Sequence, residues 1–226
     1  YAFRTKIKSN KLLEEKNQVV SKALQEKDIL LREIHHRVKN NLQMISALLY
    51  LHGKSLDDTP AQAALMESQN RVQSMAIIHQ NLYQQENLLG VGVQEYLDKL
   101  IHHLIDSYNI EKDRIEIYKR IEIQHLDVDT VIPLALIINE LISNALKYAF
   151  RDGRKGVIHV NIEMVDGLIK LEVKDNGIGF PETNAGGGNF GFKLIHILSE
   201  RLGATLNINS DKGTSVTLLV PQIKAA

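Results

Sequence analysis

Four stretches in the second half of this 226-residue chain carry residue types that can do chemistry, and their order is informative. They are Asn139-Glu140-Leu141-Ile142-Ser143-Asn144-Ala145-Leu146-Lys147-Tyr148, Asp175-Asn176-Gly177-Ile178-Gly179-Phe180, Gly186-Gly187-Gly188-Asn189-Phe190-Gly191, and Gly213-Thr214. Glu140, Asn144 and Lys147 stand at i, i+4 and i+7, one face of a helix, where an oxygen ligand for Mg²⁺ and a cation for phosphate converge. Asp175 ends an alternating strand and can accept a hydrogen bond from a purine amine, while Gly177 and Gly179 let backbone approach the base. The Gly186 to Gly191 run opens a helix, whose free N–H groups and dipole favour anionic phosphates. Any one of these is weak, since a Gly-rich turn before a helix is usually just a loop. Together and in this order they predict a purine-nucleotide site.

A second candidate lies far upstream, in Glu33-Ile34-His35-His36-Arg37-Val38-Lys39-Asn40-Asn41-Leu42-Gln43. The spacing predicts one helix from about Thr5 to His52, free of Pro and Gly and roughly 70 Å long at 1.5 Å per residue. Leu13, Val20, Leu24, Leu31, Ile34, Val38, Ile45 and Leu48 recur at intervals of 3, 4 or 7, a coiled-coil seam with polar breaks at Asn17, Lys27 and Asn41. A helix this long predicts pairing with a second copy. With Leu31 and Val38 at a and Ile34 at d, His36 falls at f, facing solvent, and His35 at e beside the seam. Only a solvent-facing imidazole can be reached by a separate domain. Glu33 shares the exposed stripe of His36, one turn before it.

These residues need elements to position them. After a turn at Gly53 to Pro60, a second helix from Pro60 to about Tyr83 carries Leu65, Val72, Met75, His79 and Leu82 on one stripe. The two helices form an antiparallel hairpin, and two copies make four helices. Beyond Gly90-Val91-Gly92 the pattern becomes mixed: helices at Tyr96–Tyr108, at Asp129–Phe150, opened by Asp129-Thr130 with Pro133 in its first turn, and at Phe190–Leu202. Strands are expected at Arg114–Ile123, Val157–Met164, Leu168–Lys174, Thr205–Asn209 and Ser215–Val220, the second and third joined as a hairpin through Val165-Asp166-Gly167. The fold class is therefore α+β, a helical hairpin followed by an α/β sandwich. The boundaries are 1–30 for a coiled-coil linker, 31–88 for the hairpin and 89–226 for the sandwich domain.

Composition narrows the function classes. Lys+Arg and Asp+Glu are both 27, which disfavours a basic nucleic-acid-wrapping protein, and no nucleic acid is expected as partner. The absence of Cys excludes disulfide scaffolds, thiolate zinc sites and cysteine nucleophiles, and fits a reducing compartment. No apolar run is read as a bilayer span and no secretory signal is seen. The basic residues Arg4, Lys6, Lys8 and Lys11 suit either a solvated helix end or the cytoplasmic flank of a membrane span just before residue 1. Two partial motif matches fail. Gly53-Lys54-Ser55 lacks the upstream Gly and strand of a P-loop, and His36-Arg37 is followed by Val38 instead of Asp. The His35/His36 and His102/His103 pairs point about 100° apart on a helix and predict no metal centre.

The four-part constellation resembles the Bergerat-type (GHKL) ATP-binding domain shared by histidine kinases, gyrase-like topoisomerases, Hsp90 chaperones and mismatch-repair ATPases. The His36-Arg37-Val38-Lys39-Asn40 segment resembles the phosphoacceptor box of bacterial two-component sensor histidine kinases allied to the HWE subfamily. The two resemblances cover about residues 25–221. They imply a cytoplasmic, homodimeric kinase core that uses ATP and Mg²⁺ to phosphorylate His36 and passes the group to an aspartate on a response-regulator receiver domain, under an upstream sensor absent from this sequence. By position, Asn144 coordinates Mg²⁺, Lys147 and Tyr148 line the nucleotide, Asp175 reads adenine and Thr214 supports it, with Gly177, Gly179, Gly187, Gly188 and Gly191 in the nucleotide loops. Glu140 is a candidate catalytic carboxylate; in the alternative, a GHKL ATPase driving conformational change, it would polarise water. The commonest histidine kinases carry a carboxylate directly after the phosphoacceptor. Here that residue is Arg37, and Glu33 is the candidate for orienting or deprotonating His36, against the plainer reading of a surface carboxylate.

Overall fold

A computed structural model describes residues 2–56, 58–82, 91–108, 114–151, 153–180 and 190–221. Helix α1 spans Ala2–Lys54 without interruption, as the lack of Pro and Gly before residue 53 allows, and extends about 80 Å. It stops at Gly53, which packs on α2 (Thr59–Leu82), and the Ser55 hydroxyl and N–H both donate to the His52 carbonyl to close the turn. The hairpin is antiparallel. Leu13, Val20, Leu24, Leu31, Ile34, Ile45 and Leu48 are exposed along α1 in the single chain. The side chains of residues 4–9 and of His79, and the 88/89 boundary, lie outside the described residues.

The second unit opens on a two-residue ladder, β1 (Val91–Gly92) against β3 (His125–Leu126), too short to show any alternation in the sequence. The main sheet has the order β2-β4-β5-β7-β6, with β2 (Ile115–Ile121), β4 (Gly156–Val165), β5 (Leu168–Asp175), β6 (Thr205–Asn209) and β7 (Ser215–Pro221). Among the described residues β2 and β4 are the parallel pair of this sheet, and the other pairs are antiparallel. The β4–β5 hairpin turns through Asp166 (φ 51°) and Gly167 (φ 78°), the left-handed pair a two-residue hairpin demands. Period-2 alternation sends Ile158, Val160, Ile162, Ile169, Leu171, Val173, Val216, Leu218 and Val220 to one face. Against that face pack α3 (Val93–Ser107), α4 (Val128–Asn144) and α5 (Phe190–Arg201).

Helix α4 differs from expectation in three ways. Its N-cap is Asp127, whose carboxylate accepts from the Thr130 N–H at 2.8 Å and the Thr130 hydroxyl at 2.7 Å, so the helix starts earlier than Asp129. Pro133 therefore sits beyond the first turn. Val128–Ala149 also proves long and apolar enough to pass for a membrane span, with mean hydropathy 1.4. Buried residues make up 72% of its most apolar 18-residue window, which makes it the core helix of this unit. Finally, the helix does not continue in α geometry to Phe150 but widens into a π-helical turn over Ala145–Ala149.

Candidate nucleotide site and phosphoacceptor

The C-terminal end of α4, its π-helical turn, the end of β5 and the start of β7 enclose a cavity of about 330 Å³. Asn144, Tyr148, Asp175, Gly179 and Thr214 line it, joined by Leu141, Ala145, Ala149, Arg151, Ile178, Phe180 and Phe192. Asp175 is 6% exposed, and its Oδ1 accepts from the backbone N–H of Gly177 at 2.8 Å and of Thr214 at 3.2 Å. These bonds leave Oδ2 for a ligand donor. The backbone is drawn tight around it: a methyl at Gly213 (φ 90°) would fall 2.1 Å from the Asp175 carbonyl, and one at Gly177 would fall 2.4 Å from Ala149 Cβ. Phe180 and Phe192 meet at 5.3 Å between centroids and form the apolar wall, while the Arg151 guanidinium lies 4.7 Å over the Tyr148 ring. An amide oxygen donor, a buried carboxylate and flat apolar walls fit a purine nucleotide with its Mg²⁺.

Two expected members of the site are paired with α2. Glu140 is 2% exposed and both of its oxygens are taken by Arg71 of α2, at 2.6 Å to Nε and 2.8 Å to Nη2. Arg71 also pairs with Glu67, and Glu67 reaches Lys147 at 2.8 Å. Lys147 is absent from the cavity lining and sits 5.7 Å from the Tyr108 ring centroid. For Lys147 the π-helical turn contributes, since its i→i+5 bonding advances each residue by less than the α-helical 100° and turns Lys147 further from Asn144 than an α-helix would; Glu140 lies before that turn and is drawn to α2 by Arg71.

This four-residue network is electrostatically self-consistent. Burial works to raise the Glu67 carboxyl, but the hydrogen bond and charge of Lys147, with those of Arg71, outweigh it and hold the group below its usual range. Burial likewise opposes the charge on Arg71 and Lys147, and Glu140 in the first case and Glu67 in the second lift them above their ordinary values. Nothing in the sequence flags Arg71 as a site residue, because its partner is 69 positions away.

Gly191 lies against this network: a methyl there would meet Glu140 Oε2 at 2.8 Å and Asn144 Nδ2 at 3.6 Å. Gly187 and Gly188 lie outside the described residues. On α1, His36 is exposed, as the f position requires, whereas His35 is half-buried with both ring nitrogens covered. The Glu33 carboxylate accepts from Arg37 Nε at 2.7 Å, one turn along, so its bonded partner is Arg37 and not the imidazole.

Residues 33–108 match the family described as "Histidine kinase", and residues 129–224 the family described as "Histidine kinase-, DNA gyrase B-, and HSP90-like ATPase". A sensor histidine kinase of Mycobacterium tuberculosis, PdtaS, is 32% identical over 206 residues, covering 88% of this chain and 41% of that protein. Blue-light-activated histidine kinase 2 of Erythrobacter litoralis is 28% identical over 215 residues, covering 87% of this chain and 58% of its own length. This chain thus spans well under two thirds of these relatives. A solved histidine kinase domain from the Erythrobacter litoralis blue-light-activated kinase EL346 superposes with a TM-score of 0.63 at 25% identity, over 86% of this chain and 91% of that one. With its helical hairpin preceding a nucleotide-type cavity, the chain belongs to the histidine kinases, a HisKA-like segment followed by a GHKL-type ATPase domain.

Proposed function

We propose that this chain phosphorylates His36 from Mg-ATP and hands the phosphoryl group to an aspartate of a response-regulator receiver domain, working as a homodimer paired along the α1 seam. The observation that carries this is a solvent-facing imidazole on the long helix of a chain that also holds the Asn144–Asp175 cavity. In the transfer, a bond forms between an imidazole nitrogen and the γ-phosphorus, the bond from that phosphorus to the ADP oxygen breaks, and the imidazole N–H proton leaves. Asp175 Oδ2 is suited to the adenine amine, and Tyr148, Ile178 and Phe180 to the faces of the base. Asn144 would hold Mg²⁺, which neutralises charge on the phosphates. The row of exposed apolar seam residues on α1 supports pairing with a second copy, and the polar Asn17, Lys27 and Asn41 would help fix its register.

The ATPase alternative needs Glu140 free to polarise water. The match of residues 33–108 to the histidine kinase family favours the kinase reading. The direct test is to incubate the purified chain with Mg-ATP and look for a protein-bound phosphate that is labile in acid and stable in base. Its appearance supports the reading; ATP consumption with no such phosphate overturns it. Because Glu33 is engaged by Arg37, Glu33→Gln is expected to leave the autophosphorylation rate within about two-fold, whereas losing a general base costs roughly 100-fold or more. A loss of that size in a rate assay would return the base role to Glu33.

A further inference from the structure

The hairpin and the nucleotide domain meet along α2 and α4, which run antiparallel. Ser74 donates to Asn139 at 2.7 Å, Arg71 grips Glu140, and Glu67 reaches Lys147. That order directs the cavity end of α4 toward the hairpin turn, away from His36. The helix rise sets the offset. Gly53 lies beside Leu65, with a methyl on it 3.7 Å from Leu65 Cβ, so these two residues mark one level of the hairpin. At 1.5 Å per residue His36 stands about 25 Å from that level and Arg71 about 9 Å, which leaves about 16 Å between them along the axis. Gly191, at the start of α5, is on the Arg71 side of this gap: a methyl there would lie 3.8 Å from Arg71 Nη2. Reacting atoms must come within about 3.5 Å. A second copy paired in parallel along the seam would carry its own His36 at the same level, so pairing alone does not close the distance.

We propose that Glu67, Arg71, Glu140 and Lys147 form an inhibitory clamp that parks the nucleotide domain on α2, and that it must open before His36 can be phosphorylated. The inference rests on His36 being the acceptor. Each half of the clamp contributes its own charges, a carboxylate and a guanidinium on α2, a carboxylate and an ammonium on α4 and its π-helical turn. Arg71, Glu67 and Lys147 keep 14%, 30% and 20% of their side chains exposed, so water has a path to these groups as the halves part. Met75 and Ile77 of α2 pack on the core cluster beside the clamp, which makes it the charged margin of a contact with an apolar centre. While closed, it also holds Glu140 away from any reaction at the phosphates.

The test uses Glu67, which lines no part of the cavity. Glu67→Lys sets like charges against both Arg71 and Lys147, and Glu67→Gln is the milder control. Since the chain has no cysteine, thiols introduced at the exposed Lys54 and Glu200 can carry a fluorescence donor and acceptor that report hairpin-to-domain separation without ATP. The expected result is a wider separation in Glu67→Lys, with at least about a five-fold rise in the rate of His36 phosphorylation and a smaller rise in Glu67→Gln. An unchanged separation, or a wider one with an equal or slower rate, overturns the clamp. A wild-type chain that never labels His36 overturns the proposed function and the inhibitory role with it, whereas labelling that ignores Glu67→Lys overturns the clamp alone.

Discussion

His36→Gln is expected to reduce acid-labile phosphate incorporation from Mg-ATP to background, while His35→Gln retains it. The two imidazoles are adjacent in sequence, but a helix sends them about 100° apart, and the seam decides which one a second domain can reach. His36 is exposed; His35 is half-buried beside the seam with both ring nitrogens covered. A nucleophile must present a lone pair to the phosphorus in line with the leaving oxygen, and a covered nitrogen does not. Phosphopeptide mapping of both variants is the measurement. Wild-type labelling of His36→Gln together with loss in His35→Gln reverses the assignment.

The second large effect is expected at the cavity. Asp175→Asn substitutes an amide for a carboxylate whose Oδ1 already accepts from the Gly177 and Thr214 N–H groups. If the amide oxygen keeps those two bonds, its NH₂ meets the adenine amine donor to donor. If it flips, the NH₂ confronts two backbone N–H groups in a nearly closed site. Either arrangement costs on the order of 1–3 kcal/mol, so ATP affinity by calorimetry should fall roughly 5- to 150-fold. Asn144→Ala should behave differently, losing Mg²⁺-dependent turnover while keeping part of the nucleotide affinity. An Asp175→Asn variant that binds ATP as tightly as the native chain would remove the basis for assigning the base to this end of the cavity.

The sheet was legible because β4, β5 and β7 alternate over most of their length, and the bounds of β6 match the sequence reading residue for residue. The β4–β5 turn was legible because Asp166-Gly167 is suited to φ > 0. What escaped was whatever depends on contacts distant in sequence or on departures from ideal geometry. The face shared by Glu140, Asn144 and Lys147 assumes a uniform 3.6-residue period, and the π-helical turn at Ala145 breaks that assumption one residue after Asn144. Composition alone could not tell the buried core helix from a bilayer span, because burial on all sides and lipid on all sides ask for the same residues. Arg71 has ordinary neighbours on an ordinary helix, and its role appears only once α4 is brought beside it. Arg151 and Phe192 were similarly silent, and Phe180 stood in a quoted stretch without a role; they enter the site because the π-helical turn, β5 and α5 converge there.

The bonds from Asp175 to Gly177 and Thr214 have a thermodynamic consequence for ligand binding. Two backbone N–H groups hold the carboxylate, stapling the end of β5 to the start of β7, where Asp175 N–H also donates to the Thr214 carbonyl at 2.8 Å. On the proposed assignment of the base to this end of the cavity, these protein bonds order the aspartate independently of the base, so the side-chain entropy lost on association would be small and preorganisation would supply part of the affinity. Binding strength is thereby mortgaged to the rigidity of a strand junction. Residues that never approach the base, such as Gly213 with its 90° φ, acquire control over how tightly it is held, through the breadth of the rotamer distribution of one aspartate.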